Sequence, residues 1–281
     1  MMNRYFLERN LIFEINGKRS FDMKIALVGY GKMGHMIENA AKSMGHEIVA
    51  TVDVAAKDAT CLVAAGDYAA VADAVKKSGA EGVIEFSHPT AVVGNLNALV
   101  SLGLPVVVGT TGWAENEEQI ASLCSKVGGT VMRSPNFSIG VNMFYKIVEE
   151  AAKIMAEYSE YDVAVWEAHH NQKADSPSGT ALEVARRVMS GNTTKTQMVF
   201  DAFHERPKAN ELHVSSTRIG TVPGTHTVFF DSAADTIELT HRARSREGFA
   251  RGSVVALEKL SAGLKNGTLS KGKLYGMGDL F

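Results

Sequence analysis

The sequence has only two cysteines, Cys61 and Cys124, among its 281 residues. They stand far apart, and neither belongs to a CxxC pair or to a Cys/His spacing that would hold zinc. The sequence therefore predicts no disulfide framework and no metal site. Such sparse cysteine usage fits a reducing compartment, so we expect a cytoplasmic protein.

The chain also lacks an excess of either charge and any long apolar run. Its 29 basic and 31 acidic residues give a formal net charge of −2, which argues against a nucleic-acid surface. No segment approaches the roughly 20 uncharged apolar residues of a membrane span. In residues 1–22, charged side chains interrupt every apolar run before it reaches the length of a signal peptide. We expect neither nucleic acid nor membrane as a partner.

The first regular pattern begins at Met23, so we expect residues 1–22 to be an extension that the fold does not need, or Met23 to be the true start. An apolar run then ends at the turn Gly29-Tyr-Gly-Lys-Met-Gly34, helical spacing follows, and a second apolar run ends at Asp53. A strand, a glycine turn, a helix and a strand closed by an acid are typical of a dinucleotide-binding βαβ unit.

Each position of this unit has a physical reason. Gly29 allows the tight turn, Gly31 lets a pyrophosphate approach the backbone, and Gly34 lets the helix pack on the strand. Asp53 can accept both hydroxyls of a ribose. A glycine turn alone can be an ordinary tight turn, but the flanking elements favour cofactor binding.

Alternating strands and helices continue to residue 133 and predict a parallel, doubly wound, Rossmann-like sheet. The predicted strands are 82–87, 104–108 and 129–133, and the predicted helices lie near 90–102 and 115–127. Two loops open at the carboxyl edge of this sheet, where such folds bind ligands. They contain His88 and Trp113, which either contact a ligand or serve packing.

From Asn136 the pattern changes to a helix near 141–158 and then to strands that follow one another without helices between them. Successive strands predict an open, antiparallel or mixed sheet in a second α+β domain. A helix near 247–264 and an irregular tail close the chain. The expected domains are an extension over 1–22, a dinucleotide-binding domain over 23–134 completed by 247–281, and a substrate-binding and oligomerisation domain over 135–246.

Residues 169–181 are the stretch with the most chemistry. They read His-His-Asn-Gln-Lys-Ala-Asp-Ser-Pro-Ser-Gly-Thr-Ala and follow a predicted strand, 161–168, and precede a predicted helix, 180–189. The sequence therefore predicts that this cluster lies on a strand-to-helix loop.

Such a loop suits a small anionic substrate. The Ser-Gly-Thr turn that contains Gly179 and Thr180 lies at a helix start, where free backbone N–H groups favour a carboxylate or phosphate. Lys173 adds an ammonium group, and His169 and His170 can exchange a proton or donate a hydrogen bond. The alternative is a solvated loop with an ordinary serine cap.

At this point the chain resembles the family of 4-hydroxy-tetrahydrodipicolinate reductase, also called dihydrodipicolinate reductase. The resemblance covers nearly all of the chain from Met23 onward. It depends most on His169-His170 through Lys173 to Pro177-Ser-Gly-Thr-Ala181. Further similar motifs are Lys32-Met-Gly34, Phe86-Ser-His-Pro89, Gly109-Thr-Thr-Gly112, Asn136-Phe-Ser-Ile-Gly-Val-Asn142 and Gly220-Thr-Val-Pro-Gly-Thr-His226.

The resemblance implies an oxidoreductase that transfers hydride from NADH or NADPH to a cyclic dicarboxylate, in lysine biosynthesis through diaminopimelate. It implies that His169 donates or accepts a proton and that Lys173 is a second proton donor. His170 and the amides of Gly179 and Thr180 would hold the carboxylates of the substrate. It also implies a homotetramer built through the second domain.

The resemblance further assigns cofactor binding to the glycine turn and the ribose-binding acid, and to two later loops. These residues are Gly29, Tyr30, Gly31, Lys32, Met33, Gly34, Asp53, Gly109, Thr110, Thr111, Ser134, Pro135, Asn136 and Phe137.

Two departures from the family pattern bear on the cofactor. Many members place an arginine after the ribose-binding acid to meet the 2′-phosphate of NADPH, but here Val54 follows Asp53. The unpaired carboxylate repels a phosphate, so we expect NADH or dual use, although Lys32 and Lys57 can compensate. The glycine turn is also one residue shorter than in many members.

Two alternatives stay open at this stage. One is another two-domain NAD(P)-dependent dehydrogenase, acting on sugars or amino acids; it leaves the Pro-Ser-Gly-Thr motif unexplained. The other is a nucleotide-sensing protein without turnover, against which the intact His169 and Lys173 argue.

Overall fold

The structure is a computed structural model that describes residues 22–200 and 202–280. The predicted extension over 1–22 lies almost wholly outside the described residues. The chain divides into two compact units: one runs to Phe137 and resumes at Phe249, and the other spans Ser138–Gly248. Among the described residues, no helix is long and apolar enough to span a membrane.

The first unit contains a seven-stranded sheet. Its elements before residue 137 are β1 (Lys24–Val28), α1 (Lys32–Ser43), β2 (Glu47–Asp53), β3 (Cys61–Leu62), α2 (Tyr68–Lys77), β4 (Gly82–Glu85), α3 (Val92–Leu99), β5 (Pro105–Val108), α4 (Glu117–Val127) and β6 (Thr130–Arg133).

The second unit contains a five-stranded sheet and two helices. Its elements are α5 (Ile139–Met155), β7 (Asp162–His169), α6 (Gly179–Gly191), β8 (Gln197–Val199), β9 (Glu211–Arg218), β10 (Thr225–Asp231) and β11 (Thr236–Arg242). The chain then forms α7 (Glu247–Asn266) and returns to the first sheet with β12 (Leu274–Tyr275).

All strand pairs of the first sheet are parallel, in the order β12-β6-β5-β4-β1-β2-β3. The order reverses between β1 and β4, so the loops after these two strands diverge and leave a crevice at the carboxyl edge. The predicted Rossmann-like sheet is confirmed.

The strands of this sheet are apolar throughout because helices cover both faces. Ile25 and Leu27 of β1 face one core cluster with α1 and α7, and Ala26 and Val28 face the other with α2, α3 and α4. This burial on both sides fixes the carboxyl ends of the strands, where the candidate site residues lie.

Three short elements and one helix depart from the sequence expectation. β3 and β8 are too short to show a periodic pattern, and α2 buries only Val71 and Val75. The tail that was expected to be irregular contains β12, which pairs with β6 through Leu274 and Tyr275. This strand forms because it pairs with β6 at the edge of the sheet, and its two residues are too few to show an alternating apolar pattern.

The second sheet has the order β11-β10-β7-β9-β8. β10 is antiparallel to β7 and β11, whereas β9 is parallel to β7 and β8, so the expected open sheet is mixed. One face packs on α5 and α6 through Val165, Val214 and Val228. The other face carries half-buried side chains, among them Trp166 and Phe229.

Candidate active site

The glycine turn lies at the carboxyl end of β1. Gly29 has φ +90° and donates its N–H to the carbonyl oxygen of Val52 at 2.9 Å. A Cβ atom at Gly29 would overlap the carbonyl oxygen of Phe86. Only glycine fits this position, because both the backbone angle and the space exclude a side chain.

The other two glycines of the turn differ in their surroundings. A Cβ atom at Gly34 would lie 2.6 Å from the carbonyl oxygen of Gly29, whereas no atom lies within 4 Å of the same point at Gly31. Gly31 is the N-cap of α1, and among the described residues no side chain caps this helix and no acid lies in its first turn. The turn therefore leaves open space beside a helix N-terminus, which is the arrangement that accepts a diphosphate.

Asp53 lies at the end of β2, beside the glycine turn. Its Oδ2 accepts the N–H of Tyr30 at 2.6 Å, and its Oδ1 accepts those of Ala55 and Ala56 at 2.8 and 3.0 Å. Burial raises the pKa of this carboxyl, but the backbone donors outweigh burial and lower the pKa below its ordinary value. Asp53 is therefore a fixed anion at neutral pH.

Tyr30, Lys32 and Met33 of the turn have different environments. The Tyr30 ring is buried, stacks on His35 with ring centroids 4.1 Å apart, and donates its hydroxyl to Glu38. That hydrogen bond, with burial, raises the pKa of Tyr30 to about 12. Lys32 is exposed at the first position of α1, and Met33 packs against the core.

A cavity of about 240 Å³ adjoins the turn. It is lined by Gly31 and Asp53, by the segment around Ala64 and Tyr68, and by Ser87 and His88 of the loop after β4. His88 was expected either to contact a ligand or to serve packing, and it lines this cavity. The segment before α2 was missed because nothing in its sequence marks it; the fold brings it to the crevice.

A second cavity, of about 160 Å³, brings together the loops after β5 and β6. Thr110 and Thr111 line it together with Ser134 and Pro135. Trp113 is buried, and its Nε1 donates to the carbonyl oxygen of Thr110 at 2.8 Å. Its main role is therefore to fix the loop that carries the threonines.

The remaining residues of these loops are also held by packing. A Cβ atom at Gly109 would overlap the ring of Phe86. Ser134 Oγ accepts the N–H of Asn136 at 3.0 Å, and the Phe86 and Phe137 rings lie 6.0 Å apart. Every predicted cofactor residue therefore lies in the first unit, at or beside the carboxyl edge of its sheet.

Glu85 is a fully buried carboxyl group at this edge that the sequence reading did not single out. Its Oε1 accepts hydrogen bonds from Ser87 and from Asn95, the latter at 3.1 Å, while its Oε2 has no partner within the described structure. Burial raises the pKa of Glu85, although the neighbouring polar side chains of Ser87, Thr110 and Asn95 oppose the shift.

We expect Glu85→Gln to make the protein less sensitive to rising pH. The raised pKa favours the protonated carboxyl in the folded state, so wild-type stability falls as pH rises above the ordinary pKa of a glutamate. Relative to wild type, the free energy of unfolding of the variant should therefore increase between pH 5 and pH 7.5. Thermal unfolding across pH measures this gain. Glu47→Gln, at an exposed site on β2, is the control. A difference in stability between Glu85→Gln and wild type that does not change with pH would contradict the expectation.

In the second unit, His169 is the last residue of β7 rather than part of the loop. The strand continues because His169 stays in register with Arg218 of β9. Glu167 lies two positions earlier, so it points to the same face of the sheet as His169. Both side chains are buried, with 0% and 7% exposure.

Glu167 is the centre of a buried polar network. Its Oε2 lies 2.9 Å from Nδ1 of His169 and 3.6 Å from Nε2 of His226. Burial raises the pKa of this carboxyl, but the neighbouring polar groups of His169, His226 and Ser178 outweigh burial and hold the pKa far below its usual range. Glu167 is therefore an anion, and Arg218 pairs with its Oε1 at 3.0 Å.

The loop after β7 carries the other predicted residues. Lys173 Nζ pairs with Asp175 Oδ1 at 2.6 Å, and the half-buried His170 accepts the N–H of Lys173 with its carbonyl oxygen at 3.1 Å. Arg218 donates to the carbonyl oxygen of Asp175 and so ties the loop to the sheet.

α6 begins where the anion site was expected. Ser178 is its N-cap and accepts the N–H of Ala181 with Oγ at 3.1 Å, while its own N–H donates to Glu167 Oε1 at 2.9 Å. Gly179 and Thr180 are the first two helical residues, and no atom lies within 4 Å of a Cβ at Gly179. Their N–H groups are at the positive end of the helix.

Sequence reasoning missed Glu167, Arg218 and His226. The period-two pattern of a strand could have placed Glu167 beside His169. Arg218 and His226 depend on strand register, since β9 pairs Arg218 with His169 and β10 pairs His226 with Glu167. Register between distant strands is not visible in one sequence.

Glu167, His169 and His226 also offer three ligand atoms within 4.8 Å of one another, a spacing that could hold a metal ion. The guanidinium of Arg218 already pairs with the carboxylate of Glu167, and the N–H of Ser178 and the hydroxyl of Ser216 donate to the same group. We interpret the cluster as a hydrogen-bonded network rather than a metal centre.

A parallel sheet with a glycine turn at its switch point, followed by a mixed-sheet unit with a buried histidine beside a helix start, defines a two-domain oxidoreductase of the dehydrogenase class. Two family models identify the family within this class. The model for the N-terminus of dihydrodipicolinate reductase matches residues 23–137, and that for its C-terminus matches residues 140–281. The chain belongs to this family, which confirms the resemblance drawn from the motifs.

Individual relatives agree. The chain is 37% identical over 238 residues to a 4-hydroxy-tetrahydrodipicolinate reductase of Christiangramia forsetii, covering 85% of this chain and 92% of that one. It is 39% identical over 242 residues to the enzyme of that name from Archaeoglobus fulgidus, covering 83% and 92%. A dipicolinate-bound dihydrodipicolinate reductase from Paenisporosarcina sp. TG-14 shares the fold with a TM-score of 0.71 at 19% identity, covering 93% of this chain and all of that one.

Proposed function

We propose that this protein reduces 4-hydroxy-tetrahydrodipicolinate to tetrahydrodipicolinate with hydride from NADH or NADPH, in the diaminopimelate route to lysine. The reaction takes up one proton and releases the 4-hydroxyl group of the substrate as water. The observation that carries the proposal is the buried network of the second unit, in which Glu167 contacts both His169 and the start of α6. Lys173 lies on the loop between these two elements. Proton exchange and carboxylate binding at one place are what a cyclic dicarboxylate requires. The names of the relatives supply the substrate.

The first unit fits a nicotinamide dinucleotide. The open space at Gly31 admits a diphosphate, since glycines 29 and 34 are enclosed and Gly31 is not. The fixed anion at Asp53 can accept ribose hydroxyls, and the cavity formed by residues 110–111 and 134–135 is the proposed nicotinamide side. The cofactor supplies the hydride; the chain supplies binding and orientation.

The second unit supplies the groups that match the hydride with a proton. We assign proton exchange to His169, supported by Lys173, because a hydride added to a ring requires a proton elsewhere on it. The N–H groups of Gly179 and Thr180, with His170, would hold the carboxylates of the substrate. Glu167 and Arg218 fix the start of α6 and so keep these donors in place.

We expect the protein to bind NADH more tightly than NADPH. Asp53 is ionised, and Val54, whose exposure is 58%, offers no charge to a 2′-phosphate. Val54→Arg should strengthen NADPH binding by roughly 10- to 100-fold, as expected for one hydrogen bond between charged groups. Fluorescence titration measures both affinities. Val127→Arg adds the same charge on another exposed valine; equal effects of the two variants would contradict the assignment.

The proposed assembly is a homotetramer formed through the open face of the second sheet. The half-buried Trp166 and Phe229 on that face support an interface. Light scattering after size-exclusion chromatography measures the mass, and a monomer would exclude the assembly. The cytoplasmic location predicted from cysteine usage stays a prediction.

An absorbance assay at 340 nm tests the activity. Substrate is generated in place from pyruvate and aspartate semialdehyde by a coupling synthase, with NADH and NADPH in parallel. We expect rapid oxidation that requires the synthase. Oxidation with sugars or amino acids instead would support another dehydrogenase, and cofactor binding without oxidation would support the nucleotide sensor.

A further inference from the structure

The two ring nitrogens of His169 have different surroundings: Nδ1 faces the carboxylate of Glu167, and Nε2 faces the backbone of Gly224. Nδ1 lies 2.9 Å from Glu167 Oε2, and within the described structure neither buried atom forms a hydrogen bond of regular geometry, so each is the nearest charged or polar group available to the other. Nε2 faces Gly224, where a Cβ atom would lie 2.9 Å from it. Gly224 has φ +149°, so glycine satisfies the backbone there and also leaves room at Nε2.

We propose that Glu167 is the positioning residue of the site: it accepts the Nδ1–H of His169 and thereby leaves Nε2 as the atom that exchanges the proton with the substrate. The proposal rests on the proposed function for the role of His169 and adds which nitrogen acts and what fixes it. An imidazole whose tautomer is fixed by a buried carboxylate is a recurring arrangement in proton-transferring sites.

The same carboxylate also fixes the substrate side of the site. Its Oε1 accepts the N–H of Ser178, the hydroxyl of Ser216 and the guanidinium of Arg218, at 2.9, 2.9 and 3.0 Å. One side chain therefore holds both the imidazole and the start of α6. The proton donor and the carboxylate-binding amides are kept in a constant relation because they share this partner.

His226 is the second histidine of the network and does not replace Glu167. Its Nε2 lies 3.3 Å from Ser178 Oγ, and its ring meets the ring of His169 edge to face with centroids 5.2 Å apart. Burial lowers the pKa of His226; His169 and Lys173 add to this effect, and Glu167 opposes it without reversing it. A neutral imidazole at this place cannot supply the anion that the Nδ1–H of His169 faces.

The test compares Glu167→Gln with Ser216→Ala. Glutamine keeps the size of the side chain but removes the charge, whereas the serine variant removes one donor to Oε1 and leaves the Oε2–Nδ1 pair intact. We expect kcat of Glu167→Gln to fall by about 100-fold or more, with KM and NADH affinity changed by less than about threefold. The serine variant should keep kcat within about threefold of wild type.

A spectroscopic readout separates positioning from general damage. In ¹⁵N-histidine spectra, with His169→Gln used for assignment, wild-type His169 should be the Nδ1–H tautomer, and Glu167→Gln should shift it toward Nε2–H. Unchanged tautomers, or kcat within threefold of wild type, would overturn the proposal. If Glu167→Gln does not fold, Glu167→Asp keeps the charge on a shorter stem; we then expect the Nδ1–H tautomer with a smaller loss of kcat, and the loss of that tautomer would count against the proposal.

The spectra need no substrate, so they also separate this proposal from the proposed function. A fixed Nδ1–H tautomer in a protein without reductase activity would support the positioning and reject the function. An active enzyme whose Glu167→Gln variant is unimpaired would support the function and reject the positioning role of Glu167. Metal analysis of the purified protein completes the test, because a stoichiometric metal ion held by Glu167, His169 and His226 would overturn the hydrogen-bonded reading.

Discussion

Replacing Lys173 with alanine is expected to lower kcat by about 10²- to 10⁴-fold, the range of a lost general acid. The ammonium group lies in the loop between β7 and α6, held 2.6 Å from Asp175. We expect it to donate a proton or stabilise charge while hydride is transferred. NADH affinity should stay nearly unchanged because the proposed cofactor residues belong to the other unit.

A matched ion pair on α5 provides the control for Lys173→Ala. Lys153 also pairs with a carboxylate at 2.6 Å, that of Glu150, at an exposed position. Lys153→Ala should leave kcat and KM close to wild type, since exposed pairs of this kind contribute little to stability. Stopped-flow oxidation measures kcat, and titration with NADH measures cofactor affinity. A loss of NADH affinity in Lys173→Ala, or only a small loss of kcat, would contradict the proposed role of Lys173 in proton transfer.

Substitutions of two glycines in one turn should separate folding from cofactor binding. Gly34→Ala is expected to destabilise the protein by about 2–4 kcal/mol, because the new Cβ would lie 2.6 Å from the carbonyl oxygen of Gly29. The melting temperature should fall by about 5–15 °C. The helix would have to move away from β1, so cofactor binding should be lost as well.

Gly31→Ala adds the same methyl group three positions earlier, in open space and at φ −76°. Its melting temperature should stay within about 2 °C of wild type, while NADH affinity falls by about tenfold or more because the methyl group occupies the approach of the diphosphate. Calorimetry and NADH titration distinguish the cases. Equal destabilisation by both changes would contradict the packing account, and full affinity in Gly31→Ala would contradict the proposed cofactor position.

Much of the fold could be predicted because its signals are local. The glycine turn, the closing acid at Asp53 and the alternating apolar runs are each visible within about 30 residues, the length of one βαβ unit. The strand before residue 169 and the helix after residue 178 were visible for the same reason. Element ends moved by a few residues where pairing, rather than pattern, sets them; His169 belongs to β7 because β9 pairs with it.

The parts of the site that escaped prediction depend on distant contacts. Arg218 and His226 reach Glu167 only through the register of β9 and β10 on β7. Glu85 resembles any acid that ends a strand, and its burial follows from the loops after β4 and β5. β12 has two residues and exists because β6 is a free edge beside it. Such features follow from tertiary packing, which one sequence does not display.

The most direct test of the account is the fate of the hydride. With NADH deuterated at the transferred position and substrate generated in place, mass spectrometry should find one deuterium in the tetrahydrodipicolinate ring for each NADH consumed. NADH oxidation that leaves the product unlabelled, or no oxidation although NADH is bound, would contradict the reduction proposed here.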